Sequence, residues 1–359
     1  MKQDFQKTSD SLENVFDSLF ESYKDSEVDN KAIVEKTLAK IRHERIHRRL
    51  QIWWMSSLSL AASIFIGFAI YYFVGVSEKM VEPDLRRLAD CMFVNRGEVE
   101  DIMLITSKKQ LQLSENVFVQ YDDQGTVKVD GEQVGEDNSQ DKLDNAGLYN
   151  QLIVPAGKRA RLQLADGTRL VLNAMSRVVY PREFKGEERR IYAEGEVYLE
   201  VAPDKTHPFV VESTEFDLRV LGTKFNISTY KKLSEVQIVL IEGSVEVTGA
   251  EKQKAVLKPN ELLSLENGQI IGHRFVDAVD YISWTKGWLH LKGETLSDIM
   301  NRLSIHYGVD IVCNTSFKYK RLYGKLELKK QYEDVLNCIQ QIVPLKVYYN
   351  ENKVELRDN

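Results

Sequence analysis

The residue types that carry catalysis and metal binding are sparse along this chain of 359 residues. Its six histidines are scattered without HxH or HExxH spacing, so the sequence predicts no metal site. The three cysteines, Cys91, Cys313 and Cys338, lack CxxC spacing and are odd in number, which argues against a zinc site or a disulfide framework. A bridge between Cys313 and Cys338 would need an oxidising compartment and close approach, and the sequence alone establishes neither.

Motifs for cofactor binding and hydrolysis are also missing. The chain has no GxGxxG, GxxxxGKS/T or GxSxG, the usual signatures of dinucleotide, phosphate and hydrolase chemistry. Without a constellation of acid, base and nucleophile, a membrane-bound enzyme is the function that the sequence supports least. A formal net charge of −6, with no basic patch recognised, argues against direct contact with nucleic acid. We therefore expect a binding protein without a cofactor.

One uninterrupted apolar stretch, Ile52 to Val74, organises the rest of the chain. It carries no Asp, Glu, Lys or Arg over 23 residues, enough for a helix that crosses a hydrocarbon core of about 30 Å. Trp53 and Trp54 lie at one end and Tyr71 and Tyr72 at the other, where amphipathic rings favour the headgroup layer. A buried core helix and a cleaved signal peptide are the alternatives. The length of the stretch and the long polar segment before it favour a single membrane span.

Basic residues flank this stretch unevenly, and they predict its orientation. They are Lys36, Lys40, Arg42, Arg45, Arg48 and Arg49 before the stretch, and Lys79, Arg86 and Arg87 in the comparable segment after it. Because Lys and Arg stay on the cytoplasmic side, we expect the N-terminus inside and residues 75–359 outside. Communication between two compartments is therefore the first functional hypothesis.

The inside segment, residues 1–51, carries an amphipathic helical stripe. Its apolar members recur at the spacing of one helix face: Leu12, Val15, Phe16, Leu19, Phe20 and Tyr23. Asp10 and Glu13 have the pattern of an N-cap and its capping-box partner, and a second helix is expected from about Lys31 into the span. So short a segment encloses too little apolar surface for a core of its own. The stripe is either half-buried in a helical hairpin or fills the groove of a soluble partner, and we favour the partner.

The first outside segments are predicted to be rich in β-strands. Residues 75–150 are expected to form a small β insertion, with short strands between residues 102 and 121, and a mobile linker at residues 135–145. Over residues 151–275 the pattern changes to short alternating strands separated by Gly-containing turns. This spacing indicates an all-β sandwich or roll without helices.

Residues 276–359 predict a small α+β domain. Apolar residues at helical spacing form one helix that ends at Gly308 and a second that is stopped by Pro344. The strands around them complete a β-α-β-β-α-β-β order, and both helices are expected on one side of a sheet. Such a βαββαβ-like domain can add a partner's strand to its sheet edge. The alternative is an edge blunted by charge, with Lys346 and Lys353 in the terminal hairpin.

Five sequence blocks between Gln151 and Gly268 carry a resemblance to a known family. They are VPAGKRARLQLADGTRLVLNAMSRVVYP, GEVYLEVAPDKTHPFVV, LRVLGTKFNISTY, VQIVLIEGSVEV and KPNELLSLENG. In order and spacing they resemble the FecR family of envelope anti-sigma regulators. Ala165 stands where that family commonly has Pro, and Asn260 where it commonly has Gly, and neither change removes a chemical group. The C-terminal domain is similar to that of many FecR-like proteins and to the signalling domain of secretins and TonB-dependent transporters.

The resemblance implies a membrane-anchored regulator of transcription. Its inside segment would bind a sigma factor of the extracytoplasmic-function class, and the helical stripe is where we expect that contact. Its outside domains would receive a signal from the signalling domain of a TonB-dependent outer-membrane transporter, as in cell-surface signalling. The implied location is the inner membrane of a Gram-negative cell, with the N-terminus in the cytoplasm, the C-terminus in the periplasm and membrane lipid around a single span.

The resemblance also draws attention to the dipeptide Gly222-Thr223, because a Gly-Thr bond at this place is described as self-cleaving in some family members. The Thr hydroxyl would attack the preceding carbonyl and shift the acyl group from nitrogen to oxygen, and the resulting ester would hydrolyse. Gly222 lacks a Cβ and can adopt the strained dihedrals that let the hydroxyl approach. The alternative is a strand bend at Gly222 beside a packed Thr223.

A second function competes with that of a sigma-factor regulator. The chain could be an envelope scaffolding protein whose β domain binds wall or surface polymer and whose inside segment only anchors it. Recovery of a sigma factor by the inside segment would separate the two.

Overall fold

The computed structural model divides the chain into two compact units, residues 1–81 and 82–359. It describes most of the second unit and isolated positions of the first. The described residues are 84–92, 94, 99–106, 109–122, 125–134, 149–233, 235–350 and 353–359, with positions 15, 17, 18, 66 and 68. The elements below all lie in the second unit, and the linker predicted at residues 135–145 lies outside the described residues.

One short helix and two large sheets make up the first part of this unit. The helix, α1, is Leu85–Cys91. The strands are, in chain order, β1 Ile102–Ile105, β2 Gln110–Leu113, β3 Phe118–Tyr121, β4 Val127–Val129, β5 Glu132–Gln133, β6 Tyr149–Val154, β7 Ala160–Gln163, β8 Arg169–Leu172, β9 Ser176–Pro181, β10 Arg189–Glu194, β11 Glu196–Glu200, β12 Phe209–Glu212, β13 Asp217–Val220, β14 Lys224–Ser228, β15 Val236–Glu242, β16 Val245–Thr248, β17 Lys254–Leu257, β18 Glu261–Glu266 and β19 Gln269–Phe275. A 3-10 turn, Ala250–Lys252, lies between β16 and β17.

The strands form a β-sandwich around one core. A nine-stranded sheet has the order β17-β16-β13-β12-β10-β9-β6-β1-β2, and a ten-stranded sheet has the order β19-β18-β15-β14-β11-β8-β7-β3-β4-β5. The pairs β10 with β12 and β3 with β7 are parallel, and the other described pairs in these sheets are antiparallel. One apolar cluster draws buried residues from both sheets, so the sheets face each other. The all-β architecture predicted for residues 151–275 is confirmed.

The short strands predicted in the first outside segment form, and they are integral to the sandwich. Leu104 of β1 pairs with Leu152 of β6, and Val119 of β3 pairs with Leu162 of β7. All four side chains are fully buried in the shared core. Because β1 to β5 continue the same two sheets, we treat residues 99–275 as one β domain instead of an insertion followed by a domain.

Helix α1 covers part of the outer face of the nine-stranded sheet. Its Leu85 and Ala89 pack against Val179 and Tyr192, which explains why these strand residues are buried although they face away from the sandwich core. The buried guanidinium of Arg177 also donates to the carbonyl oxygen of Ala89, at 2.9 Å. The sequence pattern does not indicate α1, since seven residues offer too few turns to establish a helical period.

The C-terminal domain, residues 276–359, begins with a 3-10 helix. Its elements are that 3-10 helix Ala278–Lys286, β20 Trp288–Thr295, α2 Leu296–Tyr307, β21 Asp310–Cys313, a 3-10 turn Ser316–Tyr319, β22 Arg321–Glu327, α3 Tyr332–Gln340, β23 Leu345–Asn350 and β24 Lys353–Asp358. The predicted β-α-β-β-α-β-β order is present. Thr295 caps α2 by accepting from the backbone N–H of Asp298 at 3.1 Å, and Gly308 ends the helix in the left-handed conformation, with φ 69°.

The prediction of helices on one side of a single sheet is wrong. β20 pairs with β22 in a two-stranded sheet, and a separate three-stranded sheet has the order β21-β24-β23. The buried residues of both sheets and both helices form one core. One apolar face lets α2 contact both sheets, and its members in this core are Leu296, Ile299, Met300 and Leu303.

Candidate functional site

The predicted sigma-factor stripe and membrane span lie almost entirely outside the described residues. Of the stripe, Val15 is described and is helical and exposed, whereas Leu12, Phe16, Leu19, Phe20 and Tyr23 are not described. Of the stretch Ile52 to Val74, only Ile66 and Phe68 are described, and both are helical and exposed. Within the part of the chain that the structure describes, no helix combines the length and the apolarity needed to cross a membrane.

The cysteines of the chain do not form a bridge. Cys91, Cys313 and Cys338 are all free. Burial raises the pKa of the Cys313 thiol to about 11, so this sulfur is a poor nucleophile at neutral pH. Among the described residues, no cluster of His, Cys, Asp or Glu has the geometry of a metal site.

Gly222 and Thr223 lie at the corner between β13 and β14. Gly222 has a φ of 151°, and a Cβ there would lie 2.8 Å from the Cα of Pro203, so only glycine fits. Thr223 is 4% exposed, and its Oγ1 donates to the carbonyl oxygen of Ser244 at 3.0 Å. A Cβ built on Gly243 would lie 2.8 Å from Thr223 Oγ1 and 3.1 Å from the Gly222 carbonyl oxygen. The hydroxyl and the carbonyl that would react therefore face the same side-chain-free space.

This corner has the strand bend and the packed threonine that were the alternative to cleavage. The Thr223 hydroxyl gives its hydrogen to a backbone carbonyl oxygen, which is not a base at neutral pH. Attack on the Gly222 carbonyl would require this hydroxyl to turn away from Ser244. Self-cleavage stays a prediction.

A buried carboxylate joins the β domain to the C-terminal domain. Glu196, at the start of β11, is 5% exposed and accepts hydrogen bonds from Asn173 Nδ2 at 2.8 Å and Asn226 Nδ2 at 3.2 Å. The Oδ1 of Asn226 in turn accepts from Nε1 of Trp284, at 3.2 Å, in the 3-10 helix. A continuous polar network therefore runs from a central strand of the sandwich to a buried indole of the C-terminal domain. We call Glu196, Asn173, Asn226 and Trp284 the domain joint.

Charges from both domains surround the joint. Burial raises the pKa of Glu196, against the opposing effect of Arg302 on α2 and Arg159 in the β domain. Burial, together with the nearby Arg159, lowers the pKa of His306 to about 4. The Arg159 guanidinium lies 6.0 Å from the centre of the Trp284 ring. A cavity of about 30 Å³ among these side chains has room for a water molecule.

Backbone and apolar contacts close the same boundary. The N–H of Gly157 donates to the carbonyl oxygen of His306 at 2.6 Å, and Lys232 Nζ donates to Ser304 Oγ at 3.3 Å. Ala278 of the 3-10 helix packs on the outer face of the ten-stranded sheet. Because polar and apolar contacts act together, a displacement of one domain would break buried hydrogen bonds that the other domain needs.

The two-stranded sheet of the C-terminal domain has one covered edge and one open edge. On the β20 side, Ser283 Oγ of the 3-10 helix donates to the strand backbone at 3.0 Å, and Asp280 pairs with His290 and Lys292. On the other side, β22 pairs with no described strand except β20. Tyr323, at the centre of β22, is 74% exposed. This is the edge at which a strand could be added, as the sequence predicted for the domain in general terms.

Comparisons with known proteins match both parts of this architecture. The family model described as FecR protein matches residues 150–246, and the one described as FecR, C-terminal matches residues 288–356. Two crystal structures of a candidate anti-sigma factor from Parabacteroides distasonis, at 1.65 Å and 2.50 Å resolution, are similar to the chain, each with 30% sequence identity and a TM-score of 0.54. The match to the first structure spans 58% of this chain and 99% of the solved chain, and the match to the second spans 59% of this chain and 100% of the solved chain. No curated protein matches significantly.

The two family matches fall on the two domains that share the joint. The first covers β6 to β16 of the sandwich, and the second covers β20 to β24. The solved structures are matched over almost their whole length, at an identity that supports more than a shared fold. The chain therefore belongs to the FecR family of anti-sigma regulators.

Proposed function

We propose that the chain is a single-pass inner-membrane anti-sigma regulator that binds an extracytoplasmic-function sigma factor in the cytoplasm. It relays a periplasmic signal from the signalling domain of a TonB-dependent outer-membrane transporter. The observation that carries this proposal is the order of parts: an amphipathic segment, then the apolar stretch Ile52 to Val74, then the two FecR domains. Family membership supplies the class of the cytoplasmic partner, a sigma factor.

The domain joint supports the relay half of the proposal. A partner that moves the C-terminal domain would strain the network around Glu196 and so act on the β domain. The β domain is in turn fastened to α1, which begins eleven residues after Val74. Arg86 of α1 pairs with Asp217 at 2.5 Å and donates to the carbonyl oxygen of Ser213 at 2.6 Å. Specific contacts therefore fasten both the C-terminal domain and helix α1 to the β domain.

The sigma-factor half is tested by capture with the full chain. Full-length protein with a C-terminal affinity tag, extracted in detergent, should recover a sigma factor from cells, and Phe16→Asp or Leu19→Asp should abolish the recovery because either places a charge on the apolar stripe. Ser18→Asp, off the stripe, is the matched control and should retain binding. Failure to recover a sigma factor, with the wild type and the stripe variants indistinguishable, would favour the envelope scaffold instead.

Topology is tested separately from binding. A reporter that is active only in the cytoplasm should be active when fused ahead of Met1, and one that is active only after export should be active when fused after Asn359. Export of the N-terminal reporter, or a chain that stays soluble without detergent, would contradict the proposed span.

Self-cleavage at Gly222-Thr223 is part of the proposal as a processing step. N-terminal sequencing of fragments should find a chain that begins at Thr223, and Thr223→Ala should abolish the fragment. Thr223→Ser keeps a hydroxyl at the same place and should retain cleavage. A chain that stays intact in cells, or a Thr223→Ala chain that is still cut there, would remove this step.

A further inference from the structure

A strongly basic strip runs along β22 and its flanking turns in the C-terminal domain, against the sequence expectation of no basic patch. Residues 316–330 carry six basic side chains and one acidic side chain, Glu327, so their net charge is +5, whereas the whole chain carries −6. All six basic side chains are exposed, and none forms an ion pair with a carboxylate among the described residues. They are Lys318, Lys320, Arg321, Lys325, Lys329 and Lys330. We call residues 316–330 the basic strip.

The backbone of β22 leaves hydrogen-bonding groups open along this strip. The N–H of Leu328 donates to the carbonyl oxygen of Gly287 at 2.8 Å, which sets the alternation of the β20–β22 ladder. In an antiparallel ladder, residues that bond to the partner strand alternate with residues whose N–H and C=O point away. Tyr323, Lys325 and Glu327 therefore direct their backbone groups to the open side.

The side chains of β22 specify what could lie beside it. Leu322 and Leu326 are buried in the domain core, whereas Tyr323 and Lys325 point to the solvent-facing side of the sheet. A strand added next to β22 has the same alternation. Its side chains next to the two leucines would need to be apolar, and those next to Lys325 would need to be acidic, because opposite charges on neighbouring strands attract and like charges repel.

We propose that the open edge of β22 binds an extended segment of a partner protein in which acidic and apolar residues alternate. This inference deepens the proposed function. It rests on that function in one respect, the assumption that the partner is the protein that delivers the outside signal. The partner segment adds a strand to the two-stranded sheet through backbone hydrogen bonds, and the basic strip selects its charge. The ring of Tyr323, whose hydroxyl end lies over Gly293 of β20, is 74% exposed and supplies apolar contact area on the solvent-facing side of the sheet.

Three other occupants fit the strip less well. A second copy of this chain pairing through β22 would set Lys325 and Arg321 against like charges. An anionic membrane or a nucleic acid would use the positive charge but neither the free backbone groups nor the alternation of buried leucine and exposed lysine. Lysines on an edge strand can also have no binding role and serve only to prevent aggregation through edge-to-edge pairing of sheets. The edge strand β23 has Lys346 as its one basic residue, so such protection does not explain six basic side chains without a carboxylate partner along β22 and its flanking turns.

The test uses the full-length chain in detergent and a fluorescent octapeptide of alternating Glu and Val. We expect the acidic peptide to bind by fluorescence polarisation, and a peptide of alternating Lys and Val not to bind. Lys325→Glu should weaken binding about fivefold or more, because an attractive charge pair becomes repulsive. Lys346→Glu, the same charge change on the β23 edge, is the matched control and should bind as the wild type does.

A methylated probe separates strand addition from simple charge attraction. The same acidic peptide with N-methyl groups on alternate amides keeps its charge but cannot form the edge hydrogen bonds, so it should fail to bind. Equal binding of the methylated and unmethylated peptides would overturn the proposal, as would equal loss in Lys325→Glu and Lys346→Glu. Binding to phosphatidylglycerol vesicles or to single-stranded DNA that is abolished by Lys325→Glu, without binding of the acidic peptide, would assign the strip to a membrane or a nucleic acid instead.

The outcome is independent of the sigma-factor experiment. If the chain captures a sigma factor but does not bind the acidic peptide, strand addition at β22 is refuted and the proposed function is unaffected. If the chain binds the peptide but no sigma factor, strand addition at β22 is supported and the cytoplasmic role is refuted. Thermal unfolding of each variant confirms that it is folded, and exposed substitutions on β22 should leave the midpoint unchanged.

Discussion

The β domain and the C-terminal domain use charge in opposite ways. In the β domain, Arg177 and Arg189 have side chains 1% and 5% exposed, and each pairs with a carboxylate, Glu194 at 3.1 Å and Asp166 at 2.7 Å. In the C-terminal domain, the basic strip is exposed and has no carboxylate partners among the described residues. Buried pairs are neutralised inside the fold and shielded from solvent, whereas exposed charges without a carboxylate partner are available to another protein.

The difference indicates that the β domain is the structural support and that the C-terminal domain is the one that binds a partner. The Arg189 guanidinium also donates to the carbonyl oxygens of Ala202 at 2.9 Å and His207 at 2.8 Å, and it lies 5.3 Å from the centre of the Phe209 ring. Such a group links loops and strands of the sandwich, and its burial shields it from contact with another protein. The joint between the domains is intermediate, since its one charged member, Glu196, is buried, and the half-buried arginines near it, Arg159 and Arg302, come from both domains.

The largest expected effect is the loss of a buried charge from the β domain. Arg189→Ala should lower the free energy of unfolding by about 3–5 kcal/mol, because it removes the buried guanidinium from Asp166 and from the carbonyl oxygens of Ala202 and His207. Chemical denaturation followed by circular dichroism measures this change. Lys325→Ala in the basic strip is the control and should change stability by less than about 0.5 kcal/mol. Similar losses in the two variants would break the contrast between the domains.

The next effect is a pH dependence that originates at the domain joint. The pKa of His306 is lowered to about 4, from an ordinary value of about 6.5, so the folded chain favours the neutral ring. Above about pH 6.5 the ring is neutral in both the folded and the unfolded chain, so this stability is fully present. As the pH falls towards 4, the unfolded chain gains a proton that the folded chain does not, and the free energy of unfolding falls by up to about 3 kcal/mol.

Comparison with His306→Gln isolates this contribution. The variant cannot gain a proton on that side chain, so its free energy of unfolding should fall less between pH 7 and pH 4 than that of the wild type. Identical pH profiles for wild type and His306→Gln would show that the ring is accessible and the joint loose.

Sequence patterning predicted the strands well because alternation has a direct physical cause in each of them. In β7, for example, Ala160 and Leu162 face the core and Arg161 faces out, so the apolar or charged type of each residue predicts whether it is buried. The element order of the C-terminal domain followed from its helical periods, its caps and its glycine stop. The number of sheets did not, since the same periods suit helices on one sheet or between two.

The joint could not be predicted because its members come from distant parts of the chain. Asn173, Glu196, Asn226 and Trp284 each look ordinary where they stand, and only the folded chain brings them together. The strand pattern gave no signal either: Glu196 alternates with the core-facing Val197 and Leu199, which predicts an outward position like that of Glu200. The basic strip was visible in the sequence, but only the open edge of β22 gives it a meaning.

A smaller effect tests whether the joint holds the two domains as one unit. Trp284→Phe removes the indole N–H and leaves Asn226 Oδ1 without that donor, at a cost of about 1–3 kcal/mol. The variant should show separate unfolding of the two domains by calorimetry, where the wild type shows one transition. Trp288→Phe, at a position 40% exposed, should cost less than about 0.5 kcal/mol and keep the single transition. Two transitions in the wild type would mean that the domains are already independent.

The smallest effect compares the same deletion, one hydroxyl group, in the two domains. The buried Tyr121 hydroxyl accepts from Asn150 Nδ2 at 2.8 Å, so Tyr121→Phe should cost about 1–2 kcal/mol. Tyr323 is 74% exposed, so Tyr323→Phe should leave the free energy of unfolding unchanged within about 0.3 kcal/mol. It should also retain acidic-peptide binding, because the ring and not the hydroxyl makes the proposed contact, whereas Tyr323→Ser should weaken binding without lowering stability. A loss of stability in Tyr323→Phe equal to that in Tyr121→Phe would place Tyr323 in the fold instead of on a recognition edge.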